Sequence, residues 1–177
     1  MTLFEENNLH IALLTETWLS QKHCSARTMA DLMHGANISF IRRDRGSRGG
    51  GVAICYDPTK IRMSSFSCGV NASKSEVVCA VGNSPLTRRK IAAISAYLPP
   101  NLDANNVQAA ILVITSTIDK LKSKYTDPII IVGGDFNRKD LSTFSSMFPE
   151  LKPVLAGATR GGASLDEIFT NVSESLE

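Results

Sequence analysis

The chain has 177 residues, 43% of them hydrophobic and 20% charged, which suits one domain with a sizeable core. Lys and Arg number 19 and Asp and Glu 17, and the resulting net charge of +2 excludes a polyanionic tail or a histone-like basic protein while allowing a local basic patch. No apolar run approaches the roughly 20 residues of a membrane span, the opening MTLFEENNLH is acidic where a secretory leader is basic, and low-complexity tracts are absent, so residues 1–177 are expected to form one soluble unit.

Residues 10–15 (HIALLT) form an apolar run too short for a helix and predict a buried strand. Residues 37–43 alternate in polarity and predict another; a turn over 45–50 leads into a strand over 51–56, closed by Asp57-Pro58. Residues 61–67, 76–81 and 90–97 continue the series between Gly, Asn, Ser and Pro signals, and Pro99-Pro100 ends it. Val107, Ile111, Ile114, Ile118 and Leu121 then recur at helical spacing. They predict an amphipathic helix with Asp103 as N-cap and Lys120, Lys122 and Lys124 near its C-terminus. A fully apolar strand over 129–132, a short helix over 141–148 and a last strand over 164–170 follow. In that last strand Leu165, Glu167 and Phe169 share one face, and Asp166 and Ile168 the other. Many strands with few long helices indicate a layered α+β sandwich, and the lack of regular β-α-β-α alternation argues against a dinucleotide enzyme.

Cys24, Cys55, Cys68 and Cys79 make no C-x-x-C pair, and His10, His23 and His34 do not lie at zinc-ligand spacings from them. Cys55 and Cys79 fall inside apolar runs, as small hydrophobes do, so reduced structural thiols of an intracellular protein are expected.

Several segments have the composition of a chemical site. Residues 129–137 (IIIVGGDFN) run an apolar strand into Gly133-Gly134, which permit close backbone approach, and then present Asp135 and Asn137 two positions apart, on one side if the backbone stays extended. The alternative is a Gly-Gly-Asp turn whose side chains bond local backbone. Glu16 directly follows the first strand, either as a hard oxygen ligand for Mg²⁺ or as an exposed loop residue. Trp18 is expected to fill a core edge. Tyr97 ends a strand ahead of two stiffening prolines, placed to donate to a phosphate oxygen or to cap the apolar layer. Arg42, Arg43, Arg45 and Arg48 crowd the turn IRRDRGSRGGG, whose spacing is not that of a P-loop. They suit nucleic-acid phosphates or a solvated hairpin tip, as do Arg88, Arg89 and Lys90. Asp166 lies within an apolar run, where burial demands a partner: a histidine it orients, or backbone near Thr159-Arg160.

In chain order these segments read T-E-T-W-L, R-x-D-R-x-x-x-x-G-G-V-A, A-Y-x-P-P, G-G-D-F-N and T-R-x-x-x-x-L-D-x-I-F-T-N. The ordered set, spanning nearly the whole chain, resembles the endonuclease/exonuclease/phosphatase superfamily and, within it, the apurinic-type endonuclease domain of non-LTR (LINE-like) retrotransposons. The resemblance implies a four-layer α/β-β/α sandwich of deoxyribonuclease I type, with two sheets opening at one rim to a phosphodiester. It implies Glu16 as ligand to Mg²⁺ or Mn²⁺, Tyr97 as a contact to the scissile phosphate, Asp135 as the group that aligns or deprotonates water, and Asn137 as the residue that orients Asp135 and the phosphate. It further implies Asp166 as partner of a catalytic histidine, Arg42, Arg43, Arg45, Arg48 and Arg160 as nucleic-acid contacts, DNA as substrate, a nuclear location, and a parent protein carrying a reverse transcriptase. The family pattern also includes an Asn-bearing first strand and a closing Ser-Asp-His. Only 15 residues precede Glu16 and no Ser-Asp-His occurs in the sequence. On that reading the domain is incomplete and its catalysis impaired. A remnant that only binds nucleic acid or protein, and a phosphatase of the same superfamily, are the other readings.

Overall fold

The computed structural model describes residues 3–20, 37–46, 49–68, 75–154 and 165–172. Its short apolar runs pair into two sheets. β1 (Ile11–Thr15), β2 (Ser39–Arg43) and β3 (Val52–Tyr56) form an antiparallel sheet in the order β1-β3-β2. β4 (Met63–Phe66), β5 (Glu76–Asn83), β6 (Lys90–Tyr97), β7 (Ile129–Asp135), β8 (Lys152–Pro153) and β9 (Asp166–Thr170) form a six-stranded sheet in the order β4-β5-β6-β7-β9-β8. Only β6 and β7 run parallel within it. A parallel pair needs a crossover, and the long helix α2 (Ala104–Lys124) supplies it; α1 (Leu3–Glu6) precedes β1 and α3 (Ser142–Met147) follows β7.

Alternation along the strands divides each sheet into two faces. Ala92, Ile94 and Ala96 of β6 and Ile130 and Val132 of β7 turn toward the helices, where Ile114, Ile118 and Leu121 of α2 and Phe144 of α3 meet them. Val78, Ala80, Ala93 and Tyr97 turn the other way and pack on Val52 and Ile54 of the small sheet. Ala53 and Cys55 on that sheet's outer face are covered by Phe4 of α1. The layers are therefore helices, large sheet, small sheet and short helix, the four-layer sandwich expected from the motifs. A central sheet covered on both faces explains the nearly unbroken apolar runs VVCAV, IAAISA and IIIV. α2 begins as its sequence requires: the Asp103 carboxylate accepts the Asn106 N–H at 2.9 Å.

Two features differ from expectation. β7 does not stop at Val132 but continues through Gly133 and Gly134 to Asp135, because β6 and β9 pair with it on both sides over that stretch. Gly134 makes this possible: its φ is +151°, and a Cβ there would overlap the Ala96 carbonyl oxygen. β8, only two residues long at the sheet edge, has no periodic signal in the sequence.

Candidate active site

Pairing register builds the site. Glu76 of β5 lies opposite Tyr97 of β6, Tyr97 opposite Asp135 of β7, and Asp135 opposite Asp166 of β9. Residues in one such row project to the same face, here the face that Tyr97 turns toward the small sheet. Across the gap, Glu16 follows the end of β1, and Ser95 Oγ donates to the Leu14 carbonyl at 3.2 Å, tying the two sheets together beside the row.

Glu16 has a left-handed backbone (φ +50°) that turns its side chain back to the rim. Its Oε2 accepts from the Trp18 indole and from the Gly50 N–H, both at 2.8 Å. Partial burial opposes ionisation of this carboxyl, but hydrogen bonds from the Tyr97 hydroxyl, Gly50 and Trp18 outweigh it, so its pKa lies below the ordinary carboxylate range. Tyr97, itself buried and bonded to Glu16, has its phenol pushed well up and stays a hydroxyl donor. Asp135 moves the opposite way from Glu16: burial raises its carboxyl, and the neighbouring Asp166 charge adds to the shift against the opposing N–H of Asn137. Two carboxyls on one rim thus have pKa values pushed apart, the arrangement that separates an ionised ligand from a proton acceptor.

Glu76 and Arg45 complete the rim. Arg45 forms an ion pair with Glu76, which draws the guanidinium pKa upward, and it lies 5.3 Å from the centre of the Tyr97 ring. The second oxygen of Glu76 accepts the Gly51 N–H at 3.3 Å. Residues 49–51 are three glycines in succession, each with φ between +72° and +90°, a turn that side chains resist. Main-chain bonds from Thr17 to Gly51 and from Trp18 to Gly50 hold this turn against Glu16.

Glu16, Tyr97, Asp135, Asp166 and Arg45 are therefore brought together from five separate segments. Other expected features are not. Trp18 is 62% exposed rather than packed at a core edge, because its indole bonds Glu16 outside the sheets. Asp166 is exposed rather than buried, being the first residue of β9 at the open end of the sandwich. Asn137 is not on an extended segment with Asp135. Its φ is +48°, its N–H donates to Asp135 Oδ1 at 2.9 Å, and its amide donates to the Leu98 carbonyl at 2.9 Å. It braces the Asp135 loop in the local manner of an Asx turn. The arginines do not form one patch either. Arg42 pairs with Asp44 at 3.2 Å and stacks over Phe40 on the outer face, whereas Arg43 reaches between the sheets to the Val77 carbonyl at 3.5 Å. Arg48 and Arg160 lie outside the described residues, as do Cys24, His23 and His34. Cys55, Cys68 and Cys79 are free thiols, and burial pushes that of Cys55 up to about 11. Sequence reasoning missed Glu76, whose signal was a lone charge opening the otherwise apolar run EVVCAV.

Among the described residues no group of three or more His, Cys, Asp or Glu is gathered closely enough to hold a metal. The rim offers oxygen donors alone, which suit a hard cation, and Mg²⁺ characteristically takes one or two carboxylates and keeps several waters. The ionised, exposed Glu16 fits that mode of binding.

The architecture is the deoxyribonuclease I-like fold of endonuclease/exonuclease/phosphatase proteins. Comparison of the sequence with protein families and with curated proteins finds no match. Among solved structures, the chain is similar to the human Nocturnin catalytic domain with bound sulfate anion, with TM-score 0.70 and 11% identity over 95% of this chain and 71% of that one. It is similar to an endonuclease/exonuclease/phosphatase protein from Bacteroides vulgatus, with TM-score 0.66 and 16% identity over 94% and 75%. D. rerio TDP2 complexed with single strand DNA product matches with TM-score 0.58 and 12% identity over 98% and 75%.

Proposed function

We propose that this chain is the endonuclease domain of a non-LTR retrotransposon, a divalent-metal-dependent phosphodiesterase that nicks DNA. The observation that carries the reading is the register row. It brings Tyr97, Asp135 and Asp166 to one rim, facing Glu16 from the other sheet, and these are the positions to which the ordered motifs assign chemistry. Hydrolysis of a phosphodiester needs an activated water, in-line attack at phosphorus, and charge stabilisation on the phosphate oxygens. Asp135, with its raised carboxyl, accepts the proton of the attacking water. Asn137 holds that carboxylate through its N–H and anchors its own amide on Leu98. Tyr97, kept protonated, would turn its hydroxyl from Glu16 to donate to a phosphate oxygen when substrate is bound. Glu16 would hold Mg²⁺ or Mn²⁺, which when bound supplies positive charge to the phosphate. DNA as the substrate is supported by the motif order and by the DNA-bound neighbour of the same fold. A parent protein with a reverse transcriptase, acting in the nucleus, completes the proposal.

The test is nicking of supercoiled plasmid with Mg²⁺, on the chain as it stands and on a version with a Ser-Asp-His segment appended. The expected result is nicking that EDTA and Asp135→Ala abolish. Nicking by neither version, or nicking indifferent to Asp135→Ala, overturns the reading. Hydrolysis of a phosphomonoester in its place would make the chain a phosphatase.

A further inference from the structure

At 4% exposure, Glu76 is the one charged residue that is buried among the described residues. A carboxylate is costly to bury unless it is paired and hydrogen-bonded. Glu76 is both: Arg45 takes one oxygen and the Gly51 N–H the other. The consequence lies with Arg45. Its guanidinium packs against Gly50, so closely that a Cβ at that glycine would fall 2.5 Å from Cζ. The N–H of the same glycine donates to Glu16 at 2.8 Å. Arg45 and Glu16 are thus separated by the thickness of one glycine. Arg45 Nη2 is moreover buried without a hydrogen-bond partner, which leaves the guanidinium a spare donor, and guanidinium-carboxylate forks are among the stronger polar pairings.

We propose that Glu76 is a positioning residue: it pins Arg45 against Gly50, prevents the guanidinium from pairing with Glu16, and so keeps the Glu16 carboxylate open to a divalent cation. The proposal rests, for the cation, on the reading of Glu16 given above. The pinning itself does not depend on it.

Trp18 provides the measurement. It is the only tryptophan in the chain, and its indole donates to Glu16 Oε2. Its fluorescence therefore reports what occupies that carboxylate, with or without metal and with or without catalysis. In metal-free protein, Glu76→Gln frees Arg45 to take Glu16, and the Trp18 emission maximum shifts. Adding Arg45→Met removes the competitor and returns the emission to that of the wild type. With Mn²⁺ titrated against Trp18 fluorescence, Glu76→Gln weakens apparent binding by about 10-fold or more, the scale on which groups behind a metal ligand act. The double variant Glu76→Gln/Arg45→Met recovers to within about twofold, whereas a merely structural pair would leave it as weak as the single variant.

Wild-type emission together with wild-type Mn²⁺ affinity in Glu76→Gln overturns the proposal, and so does a double variant no better than the single one. Should Glu76→Gln not fold, Glu76→Asp takes its place, since it keeps the charge but shortens the reach to Arg45: a Trp18 shift that Arg45→Met reverses supports the pinning, and wild-type emission overturns it. A wild-type protein with no response to Mn²⁺, whose variants still show the emission shift and its reversal, overturns the cation reading of Glu16 and leaves the pinning supported.

Discussion

The two ends of the sandwich carry ion pairs of the same chemistry in opposite surroundings. At the rim, Arg45 follows a strand of the small sheet and Glu76 opens a strand of the large one, and their side chains are 24% and 6% exposed. At the far end, Arg89 joins Asp127 at 3.0 Å, with side chains 33% and 71% exposed, beside the starts of β6 and β7. In water an ion pair exchanges one good environment for another and contributes about 0–1 kcal/mol. Between the sheets Glu76 has given up nearly all its hydration while Arg45 keeps part of its own, so the carboxylate depends on its partner and would be stranded without it. Exposure, more than residue type, decides what a charged pair does for this molecule. The far end uses its pair to trim loops, and the rim uses one to hold a glycine turn, a tyrosine ring and a carboxylate in fixed relation.

Experiments that separate the ends can be ranked. The largest change is expected from Asp135→Ala, which should lower the plasmid-nicking rate by about 10²–10⁴-fold, the usual contribution of a positioned proton acceptor. No far-end substitution should approach that. Next, Glu76→Ala should destabilise the fold by about 1–3 kcal/mol in urea unfolding, since a buried carboxylate that bonds Arg45 and the Gly51 N–H is lost and Arg45 must turn to another partner at the rim. A third test uses pH. Burial, with help from Asp166, raises the Asp135 carboxyl, so the folded state favours its protonated form. The stabilisation this group contributes is full below the unfolded-state pKa and is lost as pH rises through the raised folded-state value. Cleavage, which needs the ionised form, should fall away as pH drops through that same value, higher than for an ordinary aspartate. Asp135→Asn should accordingly melt at a higher temperature than wild type at neutral pH while losing activity, and an unchanged or lowered Tm would contradict the origin assigned to the shift. Smallest of all, Asp127→Ala should cost less than about 1 kcal/mol, and the difference should shrink further in high salt.

Much of this arrangement was legible in the sequence because it rests on local pattern. The apolar runs gave their strands, and Val107 to Leu121 gave the buried stripe of α2 with its Asp103 cap. The order of the motifs pointed to the four layers, and Glu16, Tyr97 and Asp135 do meet. What was hidden depends on partners far along the chain. Nothing near Gly133 says that β6 and β9 will flank it and draw the strand on to Asp135. The exposure of Trp18 follows from a bond to Glu16 rather than from its own hydrophobicity. Arg42, Arg43 and Arg45 read as one basic cluster, yet strand alternation sends the first two to opposite faces, and the third leaves the strand to meet Glu76. Glu76 itself opens an apolar strand, and only the two sheets together show why a charge belongs there.

The register row also sets a timetable. β9 is the last strand described, and Asp166 reaches its place beside Asp135 only by pairing with β7. During synthesis, which proceeds from the N-terminal end, a nascent polypeptide emerging from the ribosome acquires Glu16 first, then Arg45, Glu76 and Tyr97, then Asp135, and the closing aspartate after all of them. A half-translated molecule therefore holds an unfinished rim, which is completed only when nearly every strand of the large sheet has been made.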